Sequence, residues 1–437
     1  MRGSRGSFAF ALFSILIACG GDDGSPAIDG PPGNPDAPVV DAGPGDARRE
    51  LVTVEVIDDA DQPVAGAQVL FEEAGAVISE QTTDALGQAS AVMDIGASVT
   101  VVRTIGMTHH AITYADLRYG AQIRSQATYA RSFTPVTFTW STVPGIESYQ
   151  VFTTCYQDSG NSTTGTTLAI DLDTRCSGSF DAAVIGYDNN GLLAPVTQVL
   201  IGASGPTVTF AGGFVNAASV PAQVTNAPSI PLSAGSTIDT RDDRPSADPI
   251  NFGGMPANWA LPAVQRVARL QFTTPERVMM VFDRFAGTDT TYDVSLDGVL
   301  LPMMSDATVD LTTRTLSWNE TAPPGGTTIV APDIVYGQLH FSRGGENIVW
   351  RFVGRGSRLV PGVGVMTLPF PDIPGDRGFE PIAGDVDVDS RIMTFAANPG
   401  ATLDPLVETL EPAFHDQRFF GATGLDRLTF TIAYVGD

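Results

Sequence analysis

From Leu51 onward, apolar and polar positions alternate. Val52, Val54 and Val56 fall on one side and Thr53 and Glu55 on the other, the period of two of a half-buried strand. A turn over Asp58 to Pro63 leads to a second strand, Val64 to Phe71, and Thr83 to Ala89 reads as a tight turn in which Gly87 takes the positive φ. The same texture returns in the middle of the chain. Phe133, Val136, Phe138 and Trp140 lead through the Pro144-Gly145 turn to Tyr149-Gln150-Val151, and Phe180 to Asp188 ends at Asn189-Asn190-Gly191, a hairpin pair.

Asn216 to Pro262 is rich in Pro, Ser, Asp and Gly and reads as a long connection. Beyond it, strands are expected at Val267 to Phe272, Val278 to Phe282, Tyr292 to Leu296, Thr315 to Trp318, Tyr336 to Phe341, Ile348 to Val353, Val363 to Leu368, Ile392 to Phe395 and Leu428 to Tyr434. Only Ala263 to Leu270 has the spacing of an amphipathic helix. The expectation is an all-β chain of tandem β-sandwich, immunoglobulin-like domains.

The start of the chain is different. Arg2 and Arg5 precede an uncharged apolar run, Phe8 to Ala18, that is far shorter than the roughly 20 residues needed to cross a bilayer. The run closes on Leu16-Ile17-Ala18-Cys19. This tetrad resembles the lipobox of bacterial lipoproteins, and the resemblance implies cleavage before Cys19, lipid on its thiol and attachment to a membrane by acyl chains such as palmitate. Gly20 at the next position favours the outer membrane as the destination, with the protein facing the periplasm or the cell surface. Gly20 to Ala47 then holds 7 Gly, 6 Pro and 6 Asp with no aromatic residue. Such a stretch has too little apolar surface to bury and reads as an extended, disordered tether.

The elements V-x-V-x-D, P-V-x-G-A-x-V-x-F and T-D-x-x-G-x-A, over Glu50 to Arg103, resemble the carboxypeptidase regulatory-like domain, a transthyretin-like sandwich that implies a spacer or binding module without peptidase activity. The Trp140 strand, the Pro-Gly turn and the Tyr-x-Val strand, over Ala127 to Gly212, resemble a fibronectin type III domain. The division expected is a signal peptide at 1–18, lipidated Cys and linker at 19–48, the first sandwich at 49–104, the second at 105–215, and a loop-rich segment with a larger sandwich at 216–437. Gly-Pro-Asp-Ala linkers behind Cys-Gly-Gly-Asp-Asp are similar to those of myxobacterial envelope lipoproteins.

Composition narrows the partners. With 24 basic residues, all of them Arg, against 49 acidic ones, the net charge is -25, which repels nucleic acid and anionic headgroups. Of the 3 Cys, Cys155 and Cys176 remain after lipidation, and an exported compartment favours a disulfide between them.

Candidate chemistry is sparse. The 4 His stand at no metal spacing, and no nucleophile elbow, zinc-protease helix or phosphate loop is present in the sequence, so no catalytic residue and no cofactor are assigned. Asp385, Asp387 and Asp389 have the spacing of a calcium loop, but Ser390 stands where a Gly is needed and Ala396 where a Glu is needed; an exposed strand with the three Asp on one face is the competing reading. Asp58, Asp59 and Asp61 form a similar cluster. His109 and His110 point to opposite faces if they lie on a strand. Trp140, Trp318 and Trp350 sit in core-like strands, while Trp259 lies in a Pro-rich loop. The function expected is that of a non-catalytic outer-membrane lipoprotein that binds a protein or glycan ligand, adheres, or acts as a structural spacer. The alternative is a hydrolase with a glycosidase-like carboxylate pair in the C-terminal domain.

Overall fold

The computed structural model describes residues 49–58, 62–126, 133–153, 162–173, 179–188, 193, 196–216, 219–220, 222–230, 232–240, 255–256, 263–273, 278–286, 292–325, 328–361, 365–371, 380–382, 384–387, 389–401, 403–404, 406–408 and 425–435. The fold is all-β and sandwich-like, as the alternation requires.

The first strands are β1 (Glu50–Ile57), β2 (Gln68–Glu73), β3 (Ala76–Thr82), β4 (Gln88–Met93), β5 (Ser98–Ile105), β6 (Thr108–Tyr114) and β7 (Gln122–Gln126). β1 is the middle of a three-stranded sheet, antiparallel to β4 and parallel to β7. Val52, Val54 and Val56 are buried as the alternation expects. The Gly87 turn holds φ +71°, and a Cβ there would stand 2.5 Å from the Val56 carbonyl oxygen, so both conformation and space exclude a side chain.

The second unit comprises β8 (Phe133–Thr139), β9 (Ser148–Thr153), β10 (Thr167–Asp173), β11 (Ser179–Tyr187), β12 (Val196–Ser204) and β13 (Thr207–Thr209). β10, β8 and β13 form one sheet, while β9, β11 and β12 are the centre of a five-stranded sheet. Between them lies a separate core of Phe138, Trp140, Tyr149, Val151, Ile170 and Phe180 with their neighbours. The Trp140 and Tyr149 rings meet at 5.5 Å.

The remainder contains β14 (Ala222–Thr225), β15 (Leu232–Thr240), β16 (Ala263–Thr273), β17 (Val278–Ala286), β18 (Tyr292–Ser295), β19 (Met303–Asp310), β20 (Thr315–Thr321), β21 (Ile334–Arg343), β22 (Glu346–Arg355), β23 (Met366–Pro369), β24 (Ser390–Ala397) and β25 (Arg427–Val435). Two expectations are corrected here. Ala263 to Leu270 is strand, with Ala268, Leu270 and Phe272 buried on one face of β16. The stretch expected as a long connection carries β14 and β15, and β15 pairs with β16 along its length.

The central element is a twelve-stranded sheet in the order β15, β16, β17, β25, β24, β21, β22, β6, β5, β2, β3, with the two-residue strand Val386–Asp387 pairing β21 off this path. Every pairing along the path is antiparallel except β22 with β6, where Asn347 to Val353 run parallel to Thr108 to Tyr114. The division expected between 104 and 105 therefore falls inside the β5–β6 hairpin, and N-terminal hairpins and C-terminal strands are parts of one sheet. One face packs under the β1 sheet, in a core that mixes Val54, Val69 and Ile123 with Met280, Phe395 and Phe430. The other face packs under a sheet built on β19, β20 and β23, through Trp318, Trp350, Leu368 and Phe370. Burial on both faces explains why β21, β22 and β25 read as nearly continuous apolar runs.

Candidate functional site

Several sequence candidates fall outside the described residues: Cys19, Cys155, Cys176, Asp59, Asp61, Trp259 and the turn at Asn189 to Gly191. Asp58 is described, and its Oδ1 accepts from the Gln62 amide at 2.9 Å. Asp385 is engaged: Arg343 donates from Nε to Oδ1 at 2.9 Å and from an Nη to Oδ2 at 2.8 Å, and the Ile382 amide adds a third bond at 2.7 Å. The guanidinium bonds hold this carboxyl below the usual carboxylate range. Asp387 sits in the short strand beside Phe341, and Asp389 is exposed just before β24. Among the described residues no group of three or more His, Cys, Asp or Glu is placed to hold one metal ion.

His109 and His110 do point to opposite faces of β6. His109 lies 3.0 Å from both Thr104 Oγ1 and Glu346 Oε2. His110 faces the side of the sheet that carries Arg103 and Arg351, and burial first, then these cations, push it down to about 3. It is neutral at physiological pH. Trp140, Trp318 and Trp350 are all buried.

A cleft of about 290 Å³ opens where β24 ends and β25 begins, rimmed by Asp333, Asn398 and Arg427 and walled by Val299, Ala397 and Pro399. Its polar rim is built by side chains that accept from backbone amides distant in sequence. Asp333 Oδ2 accepts from the Ala397 amide at 2.9 Å, and Asn398 Oδ1 accepts from the amides of Asp426 and Arg427 at 2.8 and 3.0 Å. Arg427 Nε donates to Asp283 Oδ1 at 2.7 Å, while the Tyr292 hydroxyl donates to Oδ2 at 2.8 Å. Burial, reinforced by Asp283, raises the Tyr292 phenol far above its ordinary value, so it stays a donor. With each Asp283 oxygen accepting a bond, acid–base work by this buried carboxylate would break its bonds to Arg427 and Tyr292. The arrangement fixes Arg427 at the rim and suits orienting a small polar group.

Glu72 was not singled out from sequence, although a signal existed. Glu72 and Glu73 are adjacent on a strand, so they face opposite sides, and in a sheet covered on both faces one of them is enclosed. Glu73 accepts from Arg49 at 2.6 Å. Glu72 is 2% exposed, and burial raises it to about 7 against the hydroxyls of Thr100 and Ser98.

No family model matches the sequence, and no curated protein matches it. Among solved structures, the chain is similar to the Bacillus anthracis TIE protein at 10% identity and a TM-score of 0.16, covering 56% of this chain and 49% of that one. It is also similar to BcpA, the major pilin subunit of Bacillus cereus, at 8% identity and a TM-score of 0.15, covering 57% of this chain and 98% of that one. The chain thus spans about half the length of the first of these.

Proposed function

We propose that this protein is a non-catalytic lipoprotein of the outer membrane, anchored through Cys19, that presents β-sandwich modules for binding, adhesion or structural spacing at the cell envelope. The observation that carries the reading is the order Leu16-Ile17-Ala18-Cys19, then a spacer of Gly, Pro and Asp, then a strand that starts at Glu50 in the middle of its sheet. A lipid anchor followed by an extended spacer fits a module that projects from a membrane. The use of charged side chains supports it further: Arg118 with Glu408, Arg358 with Asp116 and Arg427 with Asp283 form pairs that join distant parts of the chain. The partner in this reading is a protein or glycan ligand, no cofactor is needed, and Cys155 and Cys176 form a disulfide.

The test is a Cys19→Ser variant expressed with labelled palmitate. Loss of label and release into the soluble fraction are expected; retained membrane association would overturn the lipid anchor. Glycan-array and pull-down binding by residues 49–437, with no hydrolysis of the captured glycan, is the expected behaviour of the folded part. Turnover of a glycan would overturn the non-catalytic reading.

A further inference from the structure

A carboxylate and a guanidinium share the cleft at the end of β24 without pairing. Asp333 and Arg427 both line it, and among the described residues they form no ion pair with each other. Each is held from behind. The Asp333 amide donates to the Phe395 carbonyl at 2.8 Å, its carbonyl accepts from the Gly356 amide at 2.8 Å, and its Oδ2 accepts from the Ala397 amide at 2.9 Å. Arg427 donates from Nε to Asp283 Oδ1 at 2.7 Å and from its amide to Asn398 Oδ1 at 3.0 Å. Opposite charges lining one cleft gain by pairing, and these bonds keep the two apart. They leave Asp333 Oδ1 as an acceptor and the Arg427 Nη groups as donors, on two half-buried side chains already fixed in place.

Charge decides which ligand fits. Asp283 already balances the Arg427 guanidinium from behind, so Asp333 makes the rim net negative, in a chain whose net charge is -25. An anion is repelled there, and a zwitterion would set its carboxylate against a guanidinium that is already neutralised. A cation would satisfy Asp333 but face the Arg427 donors as a like charge. A neutral hydroxyl meets neither obstacle, because it donates to Asp333 Oδ1 and accepts from an Arg427 Nη. Two adjacent hydroxyls of a pyranose satisfy both side chains at once, and the C–H surface of the ring matches the apolar wall of Val299, Ala397, Pro399 and Leu403. The cleft volume of about 290 Å³ lies at the lower end of ligand pockets and suits one sugar ring, not an extended chain.

We propose that this cleft is a sugar subsite, in which Asp333 Oδ1 and the Arg427 Nη groups bind adjacent hydroxyls of the terminal neutral hexose of a glycan. The proposal rests on the reading of the folded part as a binding module and names the glycan as its ligand. It agrees with a non-catalytic role: among the described residues Asp333 is the one carboxylate that lines the cleft, where glycosidic cleavage uses two.

The test titrates the full chain with the methyl glycosides of glucose, galactose and mannose, read by saturation transfer to the ring protons. In parallel, an array of glycans ending in the same sugars separates recognition of a free sugar from recognition of a chain end. The wild type is expected to bind at least one of these sugars, and to bind the corresponding methyl uronate more weakly. Asp333→Asn keeps one oxygen for the Ala397 amide and turns the other acceptor into a donor, so affinity is expected to fall about tenfold or more. Ala331→Leu crowds the cleft from an exposed wall position outside the hydrogen bonds of the rim, and is expected to abolish binding. Circular dichroism confirms that each variant is folded before its result is read. Glycan capture that is unchanged in both variants, or tighter binding of the uronate or of glycine than of the neutral sugars, would overturn the subsite and leave the binding module standing. Capture of a protein partner with no glycan bound would do the same, whereas capture of neither would overturn both.

Discussion

Glu72 and His110 are buried titratable residues whose environments move them in opposite directions. Glu72 rises from its ordinary 4.5 to about 7 through burial, so its share of stability is complete below pH 4.5 and is lost as pH climbs through about 7. The full loss is roughly 3 kcal/mol. His110 falls from 6.5 to about 3 through burial and the neighbouring cations, so its share is complete above pH 6.5 and is lost as pH falls towards about 3. Between pH 4.5 and 6.5 the two slopes oppose each other. Urea unfolding across pH 4 to 8 should therefore show Glu72→Gln gaining on the wild type as pH rises, with most of the gain in place above about 7. His110→Gln should gain on the wild type as pH falls. A Glu72→Gln difference curve that is flat with pH would mean the carboxyl is solvated in the folded state.

Among the strands, legibility followed burial. β1 declared itself because one face is covered, and its three valines alternate with polar residues. β21, β22 and β25 were legible as apolar runs, but nothing local says that β22 pairs with β6, since the partners are separated by more than two hundred residues and any apolar strand satisfies either neighbour. β15 was missed because Leu232-Ser-Ala-Gly-Ser-Thr-Ile-Asp-Thr240 has loop composition. Its place comes from backbone pairing with β16. β16 itself was ambiguous, since Val264, Val267, Ala268 and Gln271 fit a helical stripe as well as Ala268, Leu270 and Phe272 fit a strand. The cleft rim was illegible for another reason: Asp333, Asn398 and Arg427 meet only through turns at the ends of distant strands. Phe352 on β22 is 1% exposed and touches Phe370 of the covering layer, with ring centroids 5.8 Å apart. Phe352→Ala should cost about 3–5 kcal/mol, read as a lowered urea midpoint with unchanged slope.

For the whole molecule, sharing of cores decides what unfolds together. Val54 near the start and Phe430 near the end belong to one core, whereas Phe138 belongs to another. Calorimetry should resolve two transitions. Val54→Ala and Phe430→Ala should lower the same one, and Phe138→Ala the other; a third, independent transition for residues 49–126 would contradict the shared core. The position of β1 carries a further consequence. It is the first strand among the described residues, and it lies between β4 and β7, antiparallel to one and parallel to the other. Tension applied through Arg49 acts along the axis of β1, so the hydrogen bonds to both neighbours are sheared together and do not peel away one at a time. Pulled from Arg49, the folded part would meet its highest mechanical barrier at this strand.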